Sequence, residues 1–561
     1  MRPSRSTIAL AGSRVRWLTV VALVAITIGG SSLARAEDQR PNVLLILIDD
    51  MGYSDIGPFG SEIRTPNLDN LARAGIRMTN FYVGPTCSPT RSMLMSGNDH
   101  HVAGLGNMAE ALQPNQVGQP GYEGYLNDRV VSVASLLRDA GYHTYMAGKW
   151  HLGDEPEHDP SQRGFEKSYT LLQGGASHFD DEWMMYAKYT PTYRENGVRV
   201  HVPQGFYSSE FYTDKIIEYI DAQQDDQPFL AYLSFAAVHD PLHLPDDWLD
   251  RYAGAYDDGY AAVREQRLAQ MKKLGLVPQG TELGPWLAMV PRWAELGPEQ
   301  RKSEARRMEL YAAMVENVDF HIGRVLDHLR KNGLYDNTLV VFFSDNGANG
   351  APMHAYPDTD EAWVERNSDN RLSNWGRRGS RIAQGTGWAQ TSSTPFRLFK
   401  AFIAEGGIRS PLIISGPGVA KAGEIVHAVT HAMDVAPTFL EIAGVAYPTS
   451  YQGRSVEPMR GRSLVELLAG QREMVRTEDE PIGWEFLSWR ALRVGDWKAT
   501  WINTPFGVSD WQLFDLAKDP GEVRDLAGQH PDLLQQLVDS WEAYAKDVGV
   551  VLPDAELPIS F

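Results

Sequence analysis

Apolar runs of strand length alternate with amphipathic segments of helical length from Pro41 onward. The apolar run Asn42 to Ile48 precedes the amphipathic stretch Asn67 to Ala74, and the stretch Val130 to Ala140 precedes the run His143 to Ala147. This alternation predicts a sheet whose strands are joined by helices on both faces. We therefore expect an α/β fold with a large, mostly parallel or mixed sheet sandwiched by helices.

The pattern changes after Pro448. The strand-like runs Trp489 to Val494, Trp497 to Ile502 and Trp511 to Asp515 are short and close together, and one helical stretch, Pro531 to Lys546, follows them. Such spacing favours antiparallel pairing. We expect a smaller C-terminal antiparallel sheet packed by a helix.

The N-terminus is typical of a secretory signal peptide, residues 1–36. A basic leader precedes the apolar run Trp17 to Ile28, and Ala34-Arg35-Ala36 is a small-residue cleavage site. The apolar run is too short to span a bilayer comfortably. We expect an exported, periplasmic protein without stable membrane insertion; an uncleaved N-terminal anchor is the alternative.

The chain after the signal peptide divides into a predicted catalytic domain, residues 37–460, and a C-terminal subdomain, residues 461–561.

Composition narrows the possible partners. The formal net charge of −20 argues against binding to nucleic acid or to anionic lipid. An anion-binding site must then be local and built from a few placed cations. The chain has one cysteine, Cys87, which excludes an internal disulfide. A lone cysteine is more often a small buried side chain than a nucleophile.

The neighbourhood of Cys87 points to chemistry instead. The flanking residues Ser88, Pro89, Thr90 and Arg91 are polar or turn-forming. Pro89 suits the first turn of a helix. Cys87 is then expected at a helix N-terminus beside a fixed cation, where negative charge is stabilised.

Polar side chains follow four of the apolar runs, and the carboxyl ends of parallel strands are where ligands collect. Taken singly, an Asp after a strand is often a turn residue or a helix cap, and a His there is often a loop residue. Their joint occurrence after four strands predicts one shared site. The residues that follow these runs are Asp49, Asp50, Lys149, His151, His239, Asp345 and Asn346.

The residue types indicate a metal and an anion. Asp49, Asp50, Asp345 and Asn346 offer only oxygen donors, which suit a hard divalent cation, Ca²⁺ more readily than Mg²⁺. No cluster has zinc spacing.

Cations on the same edge predict a pocket for a tetrahedral oxyanion ester. Lys149 and His151 are two residues apart and face the same side of an extended strand end, where Arg91 would join them. His239 is the candidate general acid, and His243 is the weaker alternative.

Three other features are ambiguous at this level. Lys400 lies in a semi-apolar stretch, from which a lysine usually extends to solvent. Trp375, Trp388 and Trp484 either line an aromatic pocket or belong to the core. The charged helical stretch Tyr260 to Arg307 is expected to be a surface insertion.

The segment Cys87 to Gly97 resembles the signature of the type I sulfatases, whose cysteine is oxidised to Cα-formylglycine. The segments Pro120 to Asn127, Gly148 to Gly153 and Ser344 to Gly347 resemble bacterial arylsulfatases, in the expected order. The resemblance covers nearly the whole mature chain and implies an alkaline-phosphatase-like fold. The chain departs from the pattern at Met95-Ser96, where Leu-Thr is common.

The resemblance also implies a role for each candidate residue. The implied ligands of one Ca²⁺ ion are the formylglycine at position 87, Asp49, Asp50, Asp345 and Asn346. Arg91 and His151 are implied to hold the formylglycine hydrate, and the implied sulfate contacts are Lys149, His239 and Lys400. A formylglycine-generating maturation enzyme is the implied partner, and a small-molecule sulfate ester is the implied substrate.

The implied reaction converts an aryl sulfate and water to a phenol and sulfate. One hydroxyl of the hydrate attacks sulfur with Asp345 as base, His239 protonates the leaving group, and His151 helps the second hydroxyl to expel sulfate. Two alternatives stay open. The same site could hydrolyse phosphonate monoesters or phosphodiesters, or an exported protein with unmodified Cys87 could bind Ca²⁺ and an anion.

Overall fold

The structure, a computed structural model, describes residues 40–183, 185–187 and 189–554. The predicted signal peptide, residues 1–36, lies outside the described residues and stays a prediction. Within the described ranges, no helix has both the length and the apolar character that a membrane span requires.

In the described part of the chain, ten strands form one large sheet and six others form two small sheets. The strands of the large sheet are β1 (Asn42–Ile48), β2 (Ile76–Tyr82), β3 (His143–Lys149), β4 (Lys167–Leu171), β5 (Tyr193–Glu195), β6 (Val198–Val200), β7 (Phe229–Ser234), β8 (Thr338–Ser344), β9 (Arg409–Ser415) and β10 (Ile425–His431). The other strands are β11 (Ser450–Tyr451), β12 (Arg454–Ser455), β13 (Ile482–Phe486), β14 (Trp489–Val494), β15 (Trp497–Trp501) and β16 (Trp511–Asp515).

Helices cover the sheet and connect its strands. The α-helices in the described residues are α1 (Pro66–Ala74), α2 (Cys87–Ser96), α3 (Val133–Asp139), α4 (Ser208–Asp221), α5 (Gly259–Leu274), α6 (Pro298–Lys331), α7 (Glu361–Arg366), α8 (Thr386–Ser392), α9 (Glu405–Ile408), α10 (Val435–Ala443), α11 (Val465–Leu468) and α12 (Pro531–Val548).

The large sheet is mixed, with a parallel centre. Its strand order is β10-β2-β9-β8-β1-β7-β3-β4-β5-β6. Five adjacent strands at its centre run parallel to one another, namely β8, β1, β7, β3 and β4. By contrast, β9 is antiparallel to β8 and β2, and β5 is antiparallel to β4. The predicted fold class is therefore confirmed.

Strand β1 shows why a continuous apolar run marks the centre of the sheet. Leu44, Ile46 and Ile48 pack into the core on one face, while Val43 and Leu47 pack into a separate core on the other. Successive side chains of a strand point to opposite faces, so a strand covered by helices on both sides needs apolar residues at every position.

The predicted surface insertion was wrong for helix α5. Arg267 and Met271 on this helix are fully buried. The Arg267 guanidinium lies 2.6 Å from Asp55 and 2.8 Å from Glu62. A charged residue reads as a surface residue in the sequence, and here partners from a distant segment make its burial possible.

The four C-terminal strands, β13 to β16, form an antiparallel sheet with helix α12 packed on it, as predicted. Strand β13 was missed because Gly483 and Glu485 break its apolar pattern. Buried Lys498 on β15 ties this sheet to the rest of the protein, since its Nζ lies 2.7 Å from Glu405 and 3.0 Å from Glu522. The domain border at 460/461 stays a prediction.

A second buried ionic group joins the C-terminal sheet to the loop after α2. The His101 ring lies between two carboxylates, with Nδ1 2.9 Å from Asp99 and Nε2 3.3 Å from Glu485 on β13. Tyr544 of α12 donates a hydrogen bond to the second oxygen of Asp99 at 2.8 Å. Burial alone would lower the pKa of His101, but hydrogen bonds to the two carboxylates raise it to about 9.

This arrangement predicts a stability contribution that depends on pH. Because the folded pKa of His101, about 9, lies above its usual 6.5, the contribution is complete below about pH 6.5 and is lost as pH rises through about 9. We expect His101→Gln to lower the free energy of unfolding by up to ~3 kcal/mol at pH 6 and by much less above pH 9. Urea unfolding of the full chain measures both values, with His201→Gln at an exposed histidine as the control. A difference that stays constant across this pH range would contradict the assignment.

Candidate active site

The parallel centre of the sheet brings the predicted site residues to one edge. The carboxyl ends of β1, β8 and β3 place Asp49-Asp50, Asp345-Asn346 and Lys149 side by side. Asp345 N donates to Ile48 O at 3.1 Å, and Asp49 N donates to Ala237 O at 3.2 Å. These backbone bonds fix the acidic loops to each other and to the loop that carries His239.

Cys87 is the first residue of α2, and its side chain is buried in this group. Its Sγ lies 3.3 Å from Asp49 Oδ1 and 3.7 Å from Asp50 Oδ1. Lys400 Nζ lies 3.3 Å from the same sulfur. Lys400 therefore lies in the site, as the family resemblance implies, although its local sequence alone was ambiguous.

The thiol itself is a poor nucleophile in this setting. Burial, and next the charge of Asp49, raise the pKa of the Cys87 thiol well above its usual value. Cys87 does begin a helix, as predicted, but the cation expected beside it does not offset these effects. Arg91 pairs with Asp345 instead, at 2.8 Å and 3.0 Å.

Asp50 is the point on which the other polar groups converge. Its carboxylate accepts hydrogen bonds of 2.7 Å from Asn346 Nδ2 and from Lys400 Nζ. His239 Nε2 lies 3.3 Å from the same carboxylate. The Asp50 backbone has φ +63°, in the left-handed region that a residue other than glycine seldom adopts.

Arg91 holds Asp345 against the strand ends. Its Nη1 donates to Ser234 Oγ at 2.7 Å and to Lys149 O at 2.8 Å, while its other nitrogens hold the carboxylate. Burial and the charge of Asp49 raise the pKa of Asp345 to about 7, although Arg91 opposes this. A carboxyl group poised near neutrality can accept a proton and return it.

The two cationic residues after β3 face different partners. Lys149 Nζ lies 2.6 Å from Asp49 Oδ2. Burial alone would raise the pKa of Asp49, but the charge of Lys149, together with those of the other cationic groups of the site, lowers it. The strand ends at Lys149, and His151 has φ +57°, so the alternation of a strand does not reach it. His151 Nε2 instead lies 3.1 Å from Glu110, so the two side chains have different carboxylate partners.

Of the two candidate histidines, His239 lies in the site. Its Nδ1 lies 2.9 Å from Asp240 O, which leaves Nε2 facing Asp50. Burial lowers the pKa of His239 to about 4, against the opposing charge of Asp50. His243 lies 2.9 Å from Ser380 O and packs beside Phe179, away from the carboxylates.

The three tryptophans do not form one aromatic pocket. Trp388 and Trp484 are fully buried in two different core clusters. A cavity of about 150 Å³ beside His151 has other aromatic walls, Tyr186 and Tyr189. Glu110 lines the same cavity and was missed in the sequence, because an isolated glutamate in a turn carries no spacing signal.

The donor set fits a hard divalent cation. Asp49, Asp50, Cys87 and His239 each offer a ligand atom, and these atoms lie within 4.8 Å of one another. Asn346 Oδ1 is buried without a hydrogen-bond partner among the described residues. A buried amide oxygen left unpaired beside several carboxylates is the chemistry that a cation would satisfy.

Comparisons with known proteins agree with this geometry. The family model "Sulfatase" matches residues 41–445, and the model "N-sulphoglucosamine sulphohydrolase, C-terminal" matches residues 396–545. Members of the sulfatase family generally use formylglycine derived from cysteine and a divalent metal.

Two curated relatives and one solved structure are similar over most of the chain. An arylsulfatase of Klebsiella aerogenes is 42% identical, with 82% of this chain and 98% of the relative covered. An uncharacterized sulfatase of Schizosaccharomyces pombe is 42% identical, with 92% and 95% covered. The crystal structure of Ps i-CgsB in complex with k-i-k-neocarrahexaose has a TM-score of 0.64 and 25% identity, with 91% and 93% covered. The chain therefore belongs to the sulfatase family and is a sulfuric ester hydrolase.

Proposed function

We propose that this enzyme hydrolyses aryl sulfates through a formylglycine hydrate at position 87, with one Ca²⁺ ion bound beside it. The observation that carries the proposal is the position of Cys87, whose Sγ lies 3.3 Å from both Asp49 and Lys400. The residue that would be modified thus stands between the metal-ligating acids and a sulfate-binding cation. The relation to the Klebsiella arylsulfatase supports an aryl leaving group.

The residues that would hold Ca²⁺ are Asp49, Asp50, Asp345, Asn346 and the modified residue 87. When bound, the ion supplies positive charge that offsets the carboxylates and lowers the pKa of a hydroxyl at position 87.

The side chains around this position divide the remaining work. Lys149 and Lys400 offset the negative charge of the sulfate group, and Asp345 accepts the proton of the attacking hydroxyl. His239 is neutral while its pKa is about 4, and a bound sulfate raises that pKa because it favours the imidazolium. The protonated His239 Nε2 then donates to the departing phenol oxygen. Tyr186 and Tyr189, which wall the nearby cavity, suit an aromatic leaving group.

Maturation and location belong to the same proposal. A formylglycine-generating enzyme would oxidise Cys87, and the signal peptide, residues 1–36, would direct the protein to the periplasm. The mass of the proteolytic peptide that contains position 87, from protein purified from its native host, tests the first point. Unmodified cysteine throughout an active preparation would contradict it.

The substrate is tested by rates on matched esters. We expect phenyl sulfate to be hydrolysed with a higher kcat/KM than phenyl phosphonate esters. The reverse order would contradict the assignment and favour a phosphonate hydrolase. Binding of sulfate without any hydrolysis, by protein that carries formylglycine, would contradict enzymatic function.

Removal of the metal is expected to abolish activity without unfolding the protein. The carboxylates keep partners when no ion is bound, because Lys149, Lys400 and Arg91 each lie within 2.8 Å of one of them. We expect chelator-treated enzyme to lose aryl sulfate hydrolysis, to keep its circular dichroism spectrum, and to recover with Ca²⁺ better than with Mg²⁺. Elemental analysis alongside the activity assay checks this. Full activity at a metal content well below one ion per chain would contradict it.

A further inference from the structure

Glu110 and His151 form a carboxylate–imidazole pair beside the site. His151 Nε2 lies 3.1 Å from Glu110 Oε1. The same oxygen accepts a hydrogen bond of 3.0 Å from the hydroxyl of Tyr186. The side chains of His151 and Glu110 are 9% and 15% exposed, so the contact is largely shielded from solvent.

The carboxylate determines which ring nitrogen is free. Burial alone would raise the pKa of Glu110, but the charge of His151 and hydrogen bonds from His151 and Tyr186 hold it at about 2, so the group is ionised. An ionised carboxylate accepts only, and His151 Nε2 must therefore carry the hydrogen. In the neutral ring the lone pair is then on Nδ1.

His151 Nδ1 has no partner in the described structure. This atom is buried and makes no hydrogen bond. Burial lowers the pKa of His151, against the opposing effect of Glu110, and the charges of Lys149 and Arg91 lower it further. In its neutral form the ring thus has a buried acceptor, Nδ1, that no described residue uses. An unused buried acceptor costs free energy unless a ligand or a reacting group satisfies it.

We propose that Glu110 is the positioning residue that makes His151 Nδ1 the base for sulfate release. This inference rests on the proposed formylglycine chemistry and assigns a residue that the family resemblance did not supply. Tyr186 supports the pair by holding the same carboxylate oxygen. The ion pair with Glu110 also stabilises the imidazolium when His151 takes a proton.

The step that His151 assists is the release of sulfate from residue 87. After sulfuryl transfer, residue 87 carries one hydroxyl and one sulfate ester on the same carbon. His151 Nδ1 takes the proton of that hydroxyl, the oxygen lone pair forms the C=O bond, and the bond from carbon to the sulfate oxygen breaks. Sulfate leaves with the electron pair of that bond, and the aldehyde is regenerated.

The test is Glu110→Gln, which keeps the size of the side chain and removes its charge. We expect kcat to fall by about 10²-fold. KM should fall by a similar factor, because kcat/KM reports only the steps up to phenol release. Phenyl sulfates with different leaving groups should then reach the same kcat, since all form one sulfated enzyme. Phenol should also be released in a rapid burst. The peptide that contains position 87 should then be heavier by one SO₃ group.

Three controls separate positioning from structure. Glu110→Asp keeps the carboxylate and should retain more activity than Glu110→Gln. Glu166→Gln removes a similar carboxylate, 3.0 Å from His143 at the other end of β3, and should leave kcat unchanged. The formylglycine content of every variant is measured at position 87 so that incomplete maturation is not mistaken for slow chemistry.

Different results would overturn the role of Glu110 and the proposed function. The role of Glu110 would be overturned if Glu110→Gln kept the wild-type kcat, or if its KM rose and its kcat depended on the leaving group. In either case, turnover by the wild-type enzyme would still support the proposed function. Lower activity in Glu110→Asp than in Glu110→Gln would also overturn it, since size rather than charge would then decide. Wild-type enzyme with formylglycine but without turnover would overturn the proposed function, and the inference with it.

Discussion

Cys87→Ser is expected to stop sustained turnover while leaving the fold intact. Serine differs from cysteine by one atom, and Cys87 is fully enclosed by polar neighbours that a hydroxyl can also contact. A serine hydroxyl attacking sulfur would give a stable sulfate ester, because its carbon has no second hydroxyl to expel sulfate. We expect at most one phenol per enzyme molecule and a loss in steady-state kcat on the order of 10⁴-fold or more.

The measurement combines stopped-flow phenol release with the intact mass of the variant. One equivalent of phenol and a lasting SO₃ adduct would support covalent catalysis at position 87. Wild-type enzyme with quantified formylglycine is the reference, and circular dichroism shows that the variant is folded. Multiple turnovers by Cys87→Ser would contradict the covalent scheme.

Arg91→Leu is expected to cost both stability and activity. Arg91 is fully buried and is the direct ion-pair partner of Asp345, and it also bonds Ser234 and the Lys149 carbonyl. Its loss leaves the Asp345 carboxyl buried next to Asp49 without its ion-pair partner. We expect the free energy of unfolding to fall by ~3–5 kcal/mol and aryl sulfate hydrolysis to be lost. Urea unfolding in the presence of a chelator measures the first effect without a metal ion replacing the guanidinium.

A second substitution separates the charge from the packing. Arg91→Leu combined with Asp345→Asn removes both charges of the pair and should recover most of the lost stability. Activity should stay absent, since the proposed base is gone. A double variant as unstable as Arg91→Leu alone would show that lost packing, not an unpaired charge, caused the instability.

The position of the acidic loops follows from local features of the sequence. The run Asn42 to Ile48 is apolar at each position after the first, as a strand buried on both faces requires, and its observed bounds match the prediction. The acids after β1 and β8 could be placed together because parallel strands end at one edge. Cys87 at the start of α2 could likewise be predicted from Pro89 and the polar residues around it.

The pairing of the charged groups could not be predicted in this way. Lys400 contacts Asp50 across 350 residues of sequence, and no local pattern distinguishes a lysine that enters a site from one that reaches solvent. The apolar run before His239 extends from Phe229 to Val238, but strand β7 ends at Ser234. The chain after Ser234 leaves the sheet and bonds to the loop of Asp49 instead.

The sequence by itself determined the fold class, the position of Cys87 at a helix start and the presence of acids at the strand ends. These depend on periodicity and on which residues follow a strand, and both are local properties. Only the tertiary structure decided that Arg91 pairs with Asp345, that Lys400 faces Cys87 and that Glu110 holds His151. Each of these contacts joins segments far apart in the chain, and the reason is physical: a buried charge must find a partner, and packing of the whole core decides which partner is within reach.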